Sequence, residues 1–122
     1  MTAPLVLIVD DNPVNLELAS MVLCSAGLQV ATADGAEAAL RALAHTRPDL
    51  VLLDIQMPHV DGLALLGQLR ADPATADLVV VAFTAYAMKG DRERLLAAGC
   101  DGYISKPIEM ATFAEQVRAL LR

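Results

Sequence analysis

Short apolar runs at residues 5–10, 28–33, 49–54, 78–83 and 102–105 alternate with longer segments whose apolar residues recur at helical spacing. The alternation predicts five β-α units. In the second helical segment Ala36, Ala39, Leu40 and Leu43 form one stripe, and in the last Phe113, Val117, Leu120 and Leu121 follow i, i+4, i+7 and i+8. Each stripe is expected to lie on a sheet. Gly27, Pro48, Gly62, Pro73, Gly99 and Gly102 fall between the periodic segments, where turns and helix ends are wanted. Strands joined through helices run parallel with right-handed crossovers, which places helices on both faces. The runs LVLLD and LVVVAF are apolar throughout, as strands covered on both faces must be. The expected fold class is therefore α/β, a doubly wound parallel sheet of five strands.

Four of the runs stop at a polar residue of a different kind. LVLIVDD ends at Asp10 and Asp11, LVLLD at Asp54, VVVAFT at Thr84 and GYISKP at Lys106. In a parallel sheet the carboxyl ends share one edge, so three carboxylates, a hydroxyl and an ammonium are expected in one crevice. Three acids in one crevice call for a hard cation with oxygen ligands, and Mg²⁺ takes few carboxylates together with water and phosphate. The hydroxyl and the ammonium suit the oxygens of a phosphoryl group. Each residue also has a plain structural reading. Asp10 and Asp11, before a helix that Pro13 can open, could be an N-cap beside a solvated neighbour. Thr84 could likewise cap a helix, and Lys106 could be a solvated surface ammonium.

Composition narrows the function classes. A chain of 122 residues fits one domain, taken as residues 1–122, with 56% hydrophobic but only 3% aromatic content, so base stacking on an aromatic platform is unexpected. Fifteen acidic residues against nine basic ones give a formal net charge of −6, which disfavours nucleic acid. Every apolar run is broken well short of the ~20 residues a membrane span needs, and the amino end lacks a charged region followed by a cleavable apolar stretch. A cytoplasmic protein is expected. Cys24 and Cys100 show no C-x-x-C spacing and are expected to be buried small hydrophobes. His45 and His59 have no partner at metal spacing, and the methionines are expected to fill gaps in packing.

These residues resemble the receiver domain of two-component response regulators. The carriers are VDDN at 9–12, D-x-x-M-P-x-x-D-G from Asp54 to Gly62, F-T-A at 83–85 and Y-I-S-K-P at 103–107, and the resemblance spans essentially the whole chain. The stretch TAYAMKGDRERLLAAGCDGYISKPI looks most like receivers of hybrid kinases and of single-domain cell-division regulators. The resemblance implies a flavodoxin-like sheet in the order 2-1-3-4-5 with five helices. It implies that Asp54 accepts a phosphoryl group from a sensor histidine kinase or a histidine phosphotransfer protein. It further implies that Asp10, Asp11, Asp54 and the Gln56 backbone carbonyl serve Mg²⁺, Asp10 through water, and that Thr84 and Lys106 bind phosphoryl oxygens. Thr84 and Tyr103 would form the switch, passing the signal to a downstream protein through helix 4, strand 5 and helix 5, as a monomer or a phosphorylation-dependent dimer. Gln56 and Tyr86 stand at positions the family varies.

Two other classes compete. A phosphohydrolase of the haloacid-dehalogenase type would use Asp10 as nucleophile, but that family needs Asp-x-Asp and this loop reads Asp10-Asp11-Asn12. A flavin carrier on the same fold would need a hydroxyl-rich phosphate cradle after strand 1 and aromatics to sandwich the ring.

Overall fold

Five strands, β1 (Leu5–Val9), β2 (Gln29–Ala33), β3 (Leu50–Asp54), β4 (Val80–Thr84) and β5 (Gly102–Ser105), pair in parallel in the order β2-β1-β3-β4-β5. Between and after them lie α1 (Pro13–Ser25), α2 (Ala36–His45), α3 (Gly62–Ala71), α4 (Asp91–Ala97) and α5 (Phe113–Leu120). The computed structural model describes residues 3–55, 62–84, 91–105, 108–109 and 111–121. The fold class, strand order and helix number agree with expectation.

Side chains alternate across each strand, and the alternation divides the interior in two. Val6, Ile8, Leu50, Leu52, Val81, Phe83 and Ile104 join Ala19 and Leu23 of α1 and Phe113 and Val117 of α5 on one side. On the other, Leu7, Val9, Val51, Leu53, Val80 and Ala82 join Ala39 of α2, Leu65, Leu66 and Leu69 of α3 and Leu95 of α4. β3 and β4 are buried at every position, as strands covered on both faces should be.

Local chemistry sets the helix ends. Asn12 caps α1, its Oδ1 accepting from the backbone N–H of Val14 at 2.9 Å and of Asn15 at 3.3 Å, with Pro13 in the first turn. At the other end Gly27 takes φ +88°, a left-handed conformation that lets Leu28 N–H return to the Leu23 carbonyl. Arg118 of α5 donates to the Ala26 carbonyl and so ties α5 to the end of α1.

Arg70, near the end of α3, clasps the opposite edge of the sheet from the acids. Its Nε and Nη2 donate to the Gly99 carbonyl at 3.0 and 2.8 Å, its Nη1 to the carbonyls of Ala76 and Leu78 at 2.9 and 2.6 Å, and its Nη2 to the Asp101 carboxylate at 2.8 Å. The same carboxylate accepts from Val80 N–H at 2.9 Å, while Asp101 N–H donates to the Val80 carbonyl. The starts of β4 and β5 are thereby locked together.

Three expectations need correction. The fourth run was expected to pair from residue 78, but β4 begins at Val80, because the Leu78 carbonyl is taken by Arg70 and the 72–78 stretch is held in turns by Thr75 N–H to Asp72 and Leu78 N–H to Thr75. Cys24 is exposed on α1, since Leu23 next to it already points to the sheet; Cys100 is buried as expected. Leu40 remains 41% exposed at the rim of the α2 stripe, where Ala39 makes the buried contact.

Candidate phosphoacceptor site

Strand register places the acids. Val9 pairs with Leu53, so Asp10 and Asp54 come one step further along adjacent strands at the carboxyl edge. Asp54 in turn pairs with Phe83, which puts Thr84 one step beyond it on β4, and Thr84 pairs with Ser105 at the end of β5. The sheet itself therefore aligns three of the expected site positions, Asp10, Asp54 and Thr84, along one edge.

Asp10, Asp11 and Asp54 each offer a carboxylate oxygen, and these oxygens all lie within 4.8 Å of one another. Asp10 is 0% exposed and Asp54 1%, whereas Asp11 is open to solvent. At that separation each ionised pair repels by roughly 3–4 kcal/mol at an effective dielectric of about 20. Two buried carboxylates in such a group need a compensating cation or proton. The donors are all oxygens, which fits a hard divalent ion, and the exposed Asp11 leaves a solvent side where water or a phosphoryl oxygen can complete the shell.

The loop after β1 is braced from within. Asp10 N–H donates to the Ala33 carbonyl at 3.1 Å, and the Asp10 Oδ1 accepts from Asn12 N–H at 2.9 Å. Asn12 thus joins the α1 cap to the orientation of Asp10. The motif VDDN contains it, but nothing in residue type alone distinguishes this double use from an ordinary cap.

Gly62 begins α3 directly against the end of β3. A Cβ there would lie 2.6 Å from the Asp54 carbonyl oxygen and 2.7 Å from Ile55 Cα, closer than real Cβ contacts come. The sequence marks it only as a turn glycine.

The remaining site expectations are placed as follows. Thr84 is wholly buried at the end of β4. Tyr103 on β5 is half-buried and packs against the core on the α2–α3–α4 side. Gln56 and Lys106 lie outside the described residues, as do His59, Tyr86 and, of the methionines expected to fill gaps in packing, Met57 and Met88.

Comparison with known proteins points the same way. The polar-differentiation response regulator DivK of Brucella anthropi is 43% identical over 117 residues, covering 95% of this chain and 94% of its own. The signal receiver domain of a signal transduction histidine kinase from Syntrophus aciditrophicus superposes with a TM-score of 0.85 at 34% identity, covering 98% of this chain and 90% of that one. Response regulator protein TrrA from Thermotoga maritima, solved in complex with Mg²⁺-BeF, gives 0.83 at 33% identity, covering 97% and 99%. With residues 6–118 matching the response regulator receiver domain family, the chain belongs to that family.

Proposed function

We propose that this receiver, as one unit over residues 1–122, takes a phosphoryl group on Asp54 from a phosphohistidine of a sensor histidine kinase or histidine phosphotransfer protein. The observation that carries this reading is the convergence of Asp10, Asp11 and Asp54 within 4.8 Å. Asp10, Asp11, Asp54 and the Gln56 carbonyl would hold Mg²⁺, and the neighbour crystallised with Mg²⁺-BeF supports that ligand class. When bound, the ion neutralises the carboxylates and the phosphoryl oxygens that gather beside them.

A carboxylate oxygen of Asp54 bonds to phosphorus as the phosphorus–nitrogen bond to the donor imidazole breaks, and the imidazole keeps the bonding electrons. No base is required, because phosphoryl transfer through a loose transition state rests on positioning and charge neutralisation. Asp54 reacts as the plain carboxylate. Thr84 and Lys106 bind the phosphoryl oxygens, one with a hydroxyl and the other with an ammonium. Thr84 shifts toward the new dianion and the ring of Tyr103 turns inward, which alters the α4–β5–α5 surface offered to a downstream protein. The protein acts in the cytoplasm as a phosphoacceptor that assists its own phosphorylation and dephosphorylation, not as an enzyme on free substrates. No helix among the described residues is long and apolar enough to cross a membrane.

Incubation with acetyl phosphate and Mg²⁺ tests the assignment. One base-labile phosphoryl group per chain is expected, absent from Asp54→Asn. Equal labelling of Asp54→Asn, or no labelling of the wild-type chain, would overturn it. The phosphohydrolase reading is not favoured: this is a receiver by family, and the Asp10 carboxylate is wholly buried and holds the Asn12 N–H.

A further inference from the structure

We propose that Gly62 is a positioning residue for Asp54, acting by backbone contact where α3 begins; the inference rests on the reading of Asp54 as the phosphoryl acceptor. The contact is unusually close. A Cβ at this position would meet the Asp54 carbonyl oxygen at 2.6 Å, Ile55 Cα at 2.7 Å and the Ile55 carbonyl oxygen at 3.2 Å. All three are main-chain atoms, so no side chain can swing aside to make room. The demand is for space and not for an unusual conformation, since the described residues with positive φ are Gly27 and Gly99.

Where the displacement would go follows from burial. Leu65, Leu66 and Leu69 anchor α3 in the core at 1% exposure or less, so the helix cannot retreat without opening a cavity. At the strand end the ladders stop, pairing with β1 ending at Leu53 and with β4 at Asp54. A methyl group at position 62 would push the Asp54–Ile55 backbone, and with it the carboxylate that must stay within 4.8 Å of Asp10 and Asp11. The next residue along, Gln56, is the one expected to lend its carbonyl to the metal. Gly62 therefore sets the height of the nucleophile above the sheet edge.

The same helix supplies the control. Gly67 is exposed, and a Cβ there meets nothing within 4 Å. Gly67→Ala should leave the site untouched and raise the melting temperature, because alanine is the better residue in a helix interior.

The test combines calorimetric titration with Mg²⁺, acetyl phosphate labelling and thermal melts on the full chain. Gly62→Ala is expected to bind Mg²⁺ about tenfold or more weakly and to label up to about 10²-fold more slowly at saturating Mg²⁺, as a misplaced reacting group should. Gly67→Ala is expected to match wild type in both. Normal Mg²⁺ affinity and labelling rate in folded Gly62→Ala would overturn the proposal. If that variant does not fold alone, the Gly62→Ala/Gly67→Ala pair is measured instead, and failure of the pair to fold would also overturn it by showing a scaffold role. Absence of labelling in wild type would count against the phosphoacceptor reading, while the Mg²⁺ titration would still decide the role of Gly62.

Discussion

The two cysteines show how far one residue type can diverge. Cys100 is buried, and burial pushes its thiol up to about 11, the Arg70 guanidinium opposing part of that rise. Cys24 lies in the open on α1. A disulfide-exchange reagent at neutral pH is expected to titrate one thiol in the native protein and the second only after denaturation; two rapid native thiols would contradict the structure. The unfolded thiol ionises near 9.0, so between there and about 11 the unfolded chain has lost a proton that the folded chain keeps. That contribution is intact below pH 9 and declines as pH rises through the interval, a loss that Cys100→Ala should remove from the alkaline stability curve. Asp10, Asp11 and Asp54 were legible from sequence because strand-end acids in a parallel sheet have one place to go. The exposure of Cys24 was not, because apolar neighbours in sequence do not reveal which side of a helix a residue takes. The use of Gly62 was hidden for another reason: close approach is a relation between two segments, and sequence displays one at a time.

At the scale of elements, α3 carries an anchor of several hydrogen bonds on one side chain. Arg70 reaches three backbone carbonyls and the Asp101 carboxylate, with about a fifth of its side chain exposed. Arg70→Ala would leave those acceptors without their donor, and a loss of about 2–3 kcal/mol is expected from the charged hydrogen bonds. Urea unfolding measures it, with Arg70→Lys expected to recover only part because an ammonium lacks the planar fork. A loss under about 0.5 kcal/mol would show the clasp to be incidental. The five strands were readable because each is a short apolar run between breakers. Their limits were less so. Leu78 and Val79 look like strand in the sequence, but the Arg70 guanidinium takes the Leu78 carbonyl and a turn to Thr75 takes its N–H, so the paired run begins at Val80.

For the molecule as a whole, a net charge of −6 and two buried carboxylates mean that folding concentrates negative charge at one edge. A cation that binds only the folded state stabilises it by mass action, about 2.7 kcal/mol at a hundredfold excess over Kd. Mg²⁺ is therefore expected to raise the melting temperature, and chelation to reverse the gain. Asp11→Asn should shrink the increment, whereas an equal increment in that variant would place the ion elsewhere.

The division of the interior into two separate packing compartments has its own consequence. Side chains of the α1–α5 layer and the α2–α3–α4 layer meet across the sheet only through five backbones. Repacking one layer should leave the other nearly indifferent, since residues with no shared neighbours contribute independently. A receiver built this way can acquire a different outer surface on one side while its reactive edge, hung from the strands that both layers grip, stays where it was.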